Sequence, residues 1–361
     1  MSTTTTFEDR ATGALMGALI GEALGVGPHW YYDLDELHAA HGPWISDYTT
    51  PKPGRYHAGL KAGESSQAGW LLELTMKSLA ERGGYDESDF CQRMDRDFFP
   101  LIDGTPNNGP GGYTSQSMRE SYRLRVKLGK PWGEVGGWAD TTEAAERVLA
   151  IAVRDARDPQ AAARHVSGNT ALTQIDATVG AMTTAYALAL GQLVQGVRFD
   201  GQISSTLMGL VREGRLPFHS VTKPGEDAVP DGPERPRQAG QFASPDALLG
   251  MGCIAAAALD PDVRIEPAWK VSLVYGMPCA IYHQLPAAYH LAARFADDFE
   301  CAVLHAINGG GQNQARAMLT GALVGAMVGL QGIPRRFIQG LDRAEERLQL
   351  ARRIAAQAAH A

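Results

Sequence analysis

The sequence is poor in cysteine and has no concentrated block of positive charge. Four of its 361 residues are cysteines without a Cys-x-x-Cys pair, namely Cys91, Cys253, Cys279 and Cys301. This spacing argues against a zinc cluster or a redox motif and favours buried, reduced thiols. The 33 basic and 40 acidic residues are mixed along the chain, so we expect neither nucleic acid nor an anionic membrane as a partner.

The opening of the sequence does not have the pattern of a secretion signal, and long apolar runs are few. The opening MSTTTTFEDR is polar and carries two acids, which is not the basic and then apolar order of a signal peptide. The two most apolar runs, residues 11–27 and 318–330, are interrupted by Glu22 or too short to cross roughly 30 Å of hydrocarbon. We therefore expect a protein of the reducing cytoplasm.

No segment alternates apolar and polar residues as a half-buried strand does. Apolar residues instead recur at helical spacing, and an apolar content of 44% is enough for a packed core. The sequence therefore predicts an all-α fold with a single multi-helix domain over residues 1–361. Helices are predicted at residues 7–25, 66–82, 114–128, 141–155, 172–195, 244–258, 267–278, 296–307, 313–330 and 334–357.

One stretch rich in proline, glycine and charge, residues 216–246, interrupts the helical pattern. The apolar helices on both sides of it need partners from the other half of the chain to bury their faces. We therefore predict a surface loop or a mobile lid here, and not a linker between domains.

Two of the predicted helices carry a glycine at every fourth position. The glycines are Gly13, Gly17, Gly21 and Gly25 in the first helix and Gly321, Gly325 and Gly329 near the end of the chain. Glycine costs about 0.5–1 kcal/mol relative to alanine inside a helix, so this repeat needs a packing reason. We expect the two helices to pack at the centre of the protein and to bring residues 22–31 and 306–316 to one cavity.

The first candidate site segment follows the first helix. Glu22 lies in an otherwise apolar helix and is either a structural hydrogen-bonding group or a site carboxylate. His29, Trp30 and Tyr31 come directly after the helix breaks. The imidazole could move a proton while the rings hold a substrate, or the rings could form an aromatic plug.

The second segment reads Gly-Glu-Ser-Ser before a predicted helix. Ser65 or Ser66 would cap that helix, whose free N–H groups also favour an anion. Capping does not require Glu64 or the nearby His57, so both are candidate site residues.

The third and fourth segments are glycine-rich helix entries. Residues 107–121, which include Tyr113, permit close approach of a ligand, but their glycines also suit ordinary turns and lack the order of a nucleotide P-loop. Residues 306–316 place neutral amides and three glycines before a helix. This loop is a phosphate cradle, a metal site without its acidic ligands, or a tight helix entry, and its amides suit a phosphate or a ribose hydroxyl better than a bare cation.

Several segments, in the same order along the chain, resemble the ADP-ribosylglycohydrolase family, which includes the J1-crystallin-like proteins. GALMGALIGEALGVGPHW is similar to the family's opening, usually written Gly-Asp-Ala-Leu-Gly. TTEAAERVLAI resembles its Ser-Asn-Gly-Ala-x-Met-Arg stretch, with Arg147 retained. Residues 157–190 resemble its middle helix pair, with Gln174 and Asp176 at a position often Thr-His-x-Asp. Residues 306–341 are similar to its closing Gly-Gly-Asp-x-Asp-Thr loop and helix.

The resemblance covers about residues 11–345 and implies a single all-α domain that cleaves a glycosidic bond at ADP-ribose. It also implies two Mg²⁺ ions, held by Thr-Asp-Asp-Thr in the second segment and by two Asp and a Thr in the fourth. Here the second segment keeps one carboxylate, Glu64, and the fourth has Gln312, Gln314 and Ala315 at the ligand positions. Neutral amides do not offset the charge of two divalent cations. We therefore expect no dinuclear metal centre and no other cofactor, with a single weakly held ion on Glu64 as the alternative.

Three functions follow from these patterns. The first is a metal-independent hydrolase acting on a ribosylated or other small polar substrate, with Glu64 as base and His29 as acid. The second is a non-catalytic relative that binds a small ligand or is structural, and the third is the Mg²⁺-dependent ADP-ribosyl hydrolase. The predicted substrate-binding residues are Trp30, Tyr31, His57, Ser65, Ser66, Tyr113, Gln174, Asp176, Asn308, Gly310, Gly311, Gln312 and Gln314.

Overall fold

The computed structural model describes residues 5–220 and 238–360, in which 17 α-helices and no β-strands are formed. The predicted all-α class is therefore confirmed. The helices are α1 (Phe7–Val26), α2 (Leu34–His41), α3 (Gln67–Arg82), α4 (Glu87–Arg93), α5 (Gln116–Tyr122), α6 (Glu143–Arg147), α7 (Leu149–Arg154), α8 (Pro159–Ala171), α9 (Ala177–Val194), α10 (Ile203–Arg212), α11 (Asp246–Leu259), α12 (Val271–Tyr275), α13 (Ile281–Arg294), α14 (Phe299–Ile307), α15 (Asn313–Val328), α16 (Arg335–Gly340) and α17 (Ala344–Ala359). Short π-helical segments, Met94–Phe98 and Arg123–Lys127, continue α4 and α5.

Helices α1 and α15 form the centre of the molecule. All residues of α1 from position 11 onwards are buried, which is typical of a helix that is covered on every side. The two glycine ridges face each other, because a Cβ added at Gly17 would collide with the carbonyl oxygen of Gly321, and one at Gly325 with that of Gly13. The predicted packing of these helices is thus confirmed, and its reason is a backbone-to-backbone contact that a side chain would block.

The remaining helices surround this pair. Helix α17 packs against α1, while α13 and α14 pack against α15, and their apolar faces form one main core. A smaller core lies between α3, α4 and α5. Helix α9 is long and apolar enough to span a membrane by composition alone, but 72% of it is buried inside the protein, as in the core helix of a globular fold.

Several parts of the helical prediction differ from the structure. The predicted ranges omit α2, α4, α8, α10 and α13, and α13 contains Pro286 and continues through it. The single helix predicted over 334–357 is divided into α16 and α17, because Arg343 has a left-handed backbone with φ of 47°. Its guanidinium donates to both carboxylate oxygens of the buried Glu73 on α3, with Nη1–Oε1 at 2.8 Å and Nη2–Oε2 at 2.5 Å.

Most of the predicted surface loop or lid, residues 221–237 of 216–246, lies outside the described residues. Its two ends are joined, since the Phe242 N–H donates to the Pro217 carbonyl at 2.7 Å and the His219 N–H to the Phe242 carbonyl at 2.9 Å. All four cysteines are free, as expected, but only Cys91 is buried, and Cys253 is exposed. The prediction of four buried thiols is therefore wrong.

We expect Gly321→Ala to lower the free energy of unfolding by about 1–3 kcal/mol, because the new methyl group would meet the backbone of Gly17, which cannot rotate away. Equilibrium urea unfolding measures the change. Gly209→Ala in α10 is the matched control: no atom lies within 4 Å of its Cβ position, so we expect a gain of about 0.5–1 kcal/mol there. Equal stability of Gly321→Ala and the wild type would contradict the proposed close approach.

Candidate functional site

The segments after α1 and before α15 meet at a two-part cavity. The Trp30 N–H donates to the Gly311 carbonyl at 3.1 Å, and the Gly311 N–H donates to the Tyr31 carbonyl at 2.6 Å. These bonds join residues 22–31 to residues 306–316, as the glycine ridges predicted.

The outer cavity, of about 870 Å³, is lined by Trp30, Tyr32, Arg55, Tyr56 and Asn107 among others. The inner cavity, of about 100 Å³, is lined by Ser66, Gln67, Arg119, Glu143, Glu146 and Gln314 among others. His29, His57 and Cys279 border both.

A chain of hydrogen bonds through two histidines separates the two parts. His29 Nδ1 lies 2.6 Å from His57 Nε2, and His29 Nε2 lies 3.1 Å from Gln312 Oε1. At the other end, His57 Nδ1 lies 2.6 Å from the Gly111 carbonyl oxygen. We call this chain the histidine relay. Burial lowers the pKa of His29 well below its ordinary 6.5, with a further contribution from His57, and burial also lowers the pKa of His57.

Aromatic rings cover the outer side of the relay. Trp30 has a left-handed backbone with φ of 61°, and Arg55 Nη2 donates to its carbonyl at 2.6 Å. Its ring stacks on His29 and makes edge contacts with Tyr56 and Tyr113, with centroid distances of 4.3, 4.9 and 4.4 Å. The Trp30 indole N–H donates to Gln312 Oε1. The ring is therefore held in one orientation at the boundary of the two cavities.

Two carboxylates of α6 line the inner cavity. Thr142 Oγ1 donates to Glu146 Oε1 at 2.5 Å, and the Thr141 hydroxyl donates to Glu143. Burial, together with the charge of Glu143, raises the pKa of Glu146 to about 8. Burial also raises the pKa of Glu143 above its ordinary value of 4.5. At neutral pH the pair thus retains a proton, mainly on Glu146, because two neighbouring carboxylates resist being ionised together.

Gln174 holds α6 in this position without lining the cavity. Its Nε2 donates to the Ala139 and Thr141 carbonyls, each at 2.9 Å, and its Oε1 accepts from the Ala144 N–H at 2.8 Å. These three side-chain hydrogen bonds all go to the backbone around the start of α6, so the Gln174 side chain fixes that part of the fold. The predicted neighbour Asp176 caps α9, accepting from the Thr178 and Val179 N–H groups.

Glu22 and Ser66 meet at the wall of the inner cavity. Ser66 caps α3, accepting from the Ala68 N–H at 3.2 Å, and its own N–H donates to Glu22 Oε1 at 2.7 Å. Glu22 Oε2 is buried without a hydrogen-bond partner. Burial raises the pKa of this carboxyl, which is fully enclosed. One oxygen of Glu22 therefore joins α1 to the start of α3.

Glu64 and Tyr31, both assigned to the site from the sequence, also do not line the cavity. Glu64 turns back on its own loop, where its Oε2 accepts from the Lys61 N–H at 2.7 Å, and it is not among the cavity-lining residues. It does not converge with His29 as expected. Tyr31 is buried in the main core, with the Arg55 guanidinium 3.7 Å from its ring centre.

The glycine-rich loop before α15 is largely a tight helix entry. Gly310 and Gly311 have φ of 65° and 61°, and their Cβ positions are blocked by Tyr31 and Met277. Asn308 bonds to the backbone of Ile45 at 2.8 Å through both its oxygen and its nitrogen. These residues, and Ser65, are not among the residues that line either cavity. The inner cavity is lined by seven of the predicted site residues, namely His29, Trp30, His57, Ser66, Tyr113, Gln312 and Gln314.

The side chains at the family's ligand positions do not fit a pair of Mg²⁺ ions. The Glu64 carboxylate bonds to its own turn, and Gln312 Oε1 already accepts from the indole of Trp30. Across residues 5–220 and 238–360, no group of three or more His, Cys, Asp or Glu side chains is placed to hold a metal ion. Hard divalent cations require several anionic oxygens, and beside the Glu64 carboxylate this donor set offers only neutral amides and hydroxyls.

The ADP-ribosylglycohydrolase family model matches residues 3–361. The chain belongs to the ADP-ribosylglycohydrolase family. No curated protein matches it. Among solved structures it is similar to a chain described as an "ADP-ribosylglycohydrolase-related protein complex", with 18% identity, a TM-score of 0.63, and coverage of 98% of this chain and 99% of that one. Family membership supports a hydrolase-like function, and the structural likeness shows the same fold.

The sequence reasoning missed Glu143 and Glu146, although the family motif carries a signal for both. Against Ser-Asn-Gly-Ala-x-Met-Arg, with Arg147 retained and Ala144 matching, Glu143 stands at the glycine and Glu146 at the methionine. A buried helix start that carries two acids in place of apolar or small residues is a signal of a functional carboxylate pair. This ADP-ribosylglycohydrolase-family chain thus has its cavity carboxylates on α6, whereas its fourth loop has none.

We expect about 10 mM Mg²⁺ to change Tm by less than about 1 °C. A ligand raises Tm only when it binds the folded protein more tightly than the unfolded chain, and these donors do not suit Mg²⁺. Thermal unfolding with and without MgCl₂ measures this, with NaCl at equal ionic strength as control. A rise of several degrees specific to Mg²⁺ would show that these donors do hold the metal.

Proposed function

We propose that the protein is a metal-independent hydrolase that cleaves a glycosidic bond in a ribosylated or other small polar substrate. The observation that carries this proposal is the pair of Glu143 and Glu146, which both line the inner cavity. Burial and the charge of Glu143 raise the pKa of Glu146 to about 8. Glycosidic bonds are commonly hydrolysed by two carboxyl groups, one acting as acid and the other as base or nucleophile. Membership of the ADP-ribosylglycohydrolase family supports the same class of reaction.

The two carboxyl groups take different roles. Glu146, protonated at neutral pH, donates its proton to the leaving atom as the bond to the sugar carbon breaks. Glu143, ionised, removes a proton from the water that attacks that carbon. The sugar carbon gains the hydroxyl group of the water, and the leaving atom gains the proton of Glu146. Glu143 is left protonated and Glu146 ionised, and one proton transfer between them restores the starting state.

This assignment replaces His29 with Glu146 as the acid and Glu64 with Glu143 as the base. Both ring nitrogens of His29 are already hydrogen-bonded, whereas the Glu64 carboxylate does not line the cavity. Trp30 keeps its proposed role in holding the substrate, because its ring borders both cavities and its indole is oriented by Gln312.

We expect Glu146→Gln to lower kcat/KM on ADP-ribosylated substrates by roughly 10²–10⁴-fold, the usual contribution of a general acid, because the amide keeps the shape but cannot donate an acidic proton. Steady-state kinetics measures the loss, and circular dichroism checks the fold. Glu64→Gln discriminates between the two assignments: it should retain activity close to that of the wild type here, but would abolish turnover if Glu64 were the base.

Calorimetry with ADP-ribose, with and without Mg²⁺, tests the other two functions. Binding by the wild type without any turnover would instead support the non-catalytic relative, and turnover that requires Mg²⁺ would overturn metal independence.

We also expect a bell-shaped dependence of kcat/KM on pH. Activity should fall as the pH rises through about 8, because Glu146 then loses the proton that it must donate. On the acid side, activity should fall at a higher pH than for an ordinary glutamate base, since burial raises the pKa of Glu143 and it becomes protonated earlier. A profile that stays flat between pH about 5 and 10 would contradict the acid and base roles assigned to this pair.

A further inference from the structure

The histidine relay ends on an oxygen acceptor at both sides. Its three contacts are Gly111 O to His57 Nδ1 at 2.6 Å, His57 Nε2 to His29 Nδ1 at 2.6 Å, and His29 Nε2 to Gln312 Oε1 at 3.1 Å. A carbonyl oxygen only accepts, so each contact needs one N–H group from a ring. Two neutral imidazoles carry two N–H groups between them. The relay is therefore one proton short of satisfying all three contacts.

Reversing the Gln312 amide does not remove this shortage. The reversed amide would offer an N–H to His29, but it would also point an N–H at the indole N–H of Trp30, which can only donate. The Cys279 thiol, with Sγ 3.5 Å from the same Gln312 oxygen, is a further donor. The neighbours of Gln312 thus favour its oxygen as the end of the relay.

The two rings are arranged to share a proton. Their planes differ by 10° and their centroids lie 4.8 Å apart, so that the N–N contact runs nearly within both planes. A third proton would complete the hydrogen bonds and give the pair one positive charge. Burial and the nearby Arg55 guanidinium oppose that charge, since His29 and His57 are only 5% and 3% exposed.

The charges around the relay decide how the third proton can be accommodated. On the outer side, the lining residues that the structure describes include Arg55 but no carboxylate, and Glu36 contacts Arg55 from outside at 3.2 Å. On the inner side, the titratable groups are Tyr113, Arg119, Glu143, Glu146 and Cys279. An anion in the outer cavity would therefore meet Arg55 and the relay together, and would offset the charge of a protonated pair.

We propose that the His29–His57 pair takes up one proton when an anionic group of the substrate, such as a phosphate, enters the outer cavity. This inference rests on the proposed function and deepens it by assigning the outer cavity to an anion and the inner cavity to the bond that is cleaved. Gln312 acts as a positioning residue, because its oxygen holds the end of the relay and the Trp30 ring in place. Anion binding and proton binding are then coupled, and each strengthens the other.

Calorimetry on the Glu146→Gln variant tests the coupling without turnover. ADP-ribose is the probe, because its diphosphate stays ionised near neutral pH, and adenosine is the matched uncharged probe. Titrations in buffers of different ionisation enthalpy should show uptake of about one proton with ADP-ribose and none with adenosine. The affinity for ADP-ribose should fall by up to about tenfold per pH unit on the alkaline side, as linkage to a single proton requires.

A second variant and a spectroscopic readout test the source of the proton. In the Glu146→Gln background, His57→Gln should abolish proton uptake, since one imidazole can no longer share a third proton. The single variant Glu146→Gln keeps both histidines of the relay. When ADP-ribose binds to it, nitrogen NMR of labelled histidine should show one additional protonated ring nitrogen.

The outcomes separate this inference from the proposed function. Proton uptake by Glu146→Gln together with an inert wild type would support the relay and overturn the hydrolase. Turnover by the wild type without proton uptake would support the hydrolase and overturn the relay. Failure of ADP-ribose to bind at millimolar concentration would also overturn the relay proposal.

Discussion

The whole site depends on the close backbone contact between α1 and α15. Because Gly17 and Gly21 of α1 lie directly against Gly321 and Ala317 of α15, the two helices approach more closely than side chains would allow. The same contact places the end of α1 beside the start of α15. His29 can therefore lie 3.1 Å from Gln312, although 283 positions separate the two residues in the chain.

Loss of the carboxylates from the fourth loop changes the electrostatics of the cavity. In the pattern that the family resemblance implies, acidic residues there balance the charge of two cations, whereas Gln312 here accepts hydrogen bonds from neutral or singly charged donors. The acids of this cavity are instead on α6, where burial and mutual repulsion keep a proton on Glu146. In the proposed mechanism, mobile protons replace fixed cations as the means of stabilising a leaving group.

The sequence was informative wherever a local pattern has one physical cause. Periodic apolar residues predicted the helical class, and the glycine repeat predicted both the central pair and the meeting of residues 22–31 with 306–316. It was less informative for individual side chains. Glu64 follows a glycine in a loop that can point either way, and its carboxylate turns to its own backbone. Helix α13 was missed because Pro286 interrupts its pattern, although the helix continues through that residue.

By itself, then, the sequence determined the all-helical class, the family and the neutral character of the fourth loop, since each depends on residue type and short-range spacing. Only the tertiary structure decided which polar groups face the cavity. Gln174 and Glu146 are both buried polar residues, yet one bonds to backbone groups around α6 and the other borders open space. That difference depends on which distant backbone groups come within hydrogen-bonding distance, and this is set by the packing of all the helices together.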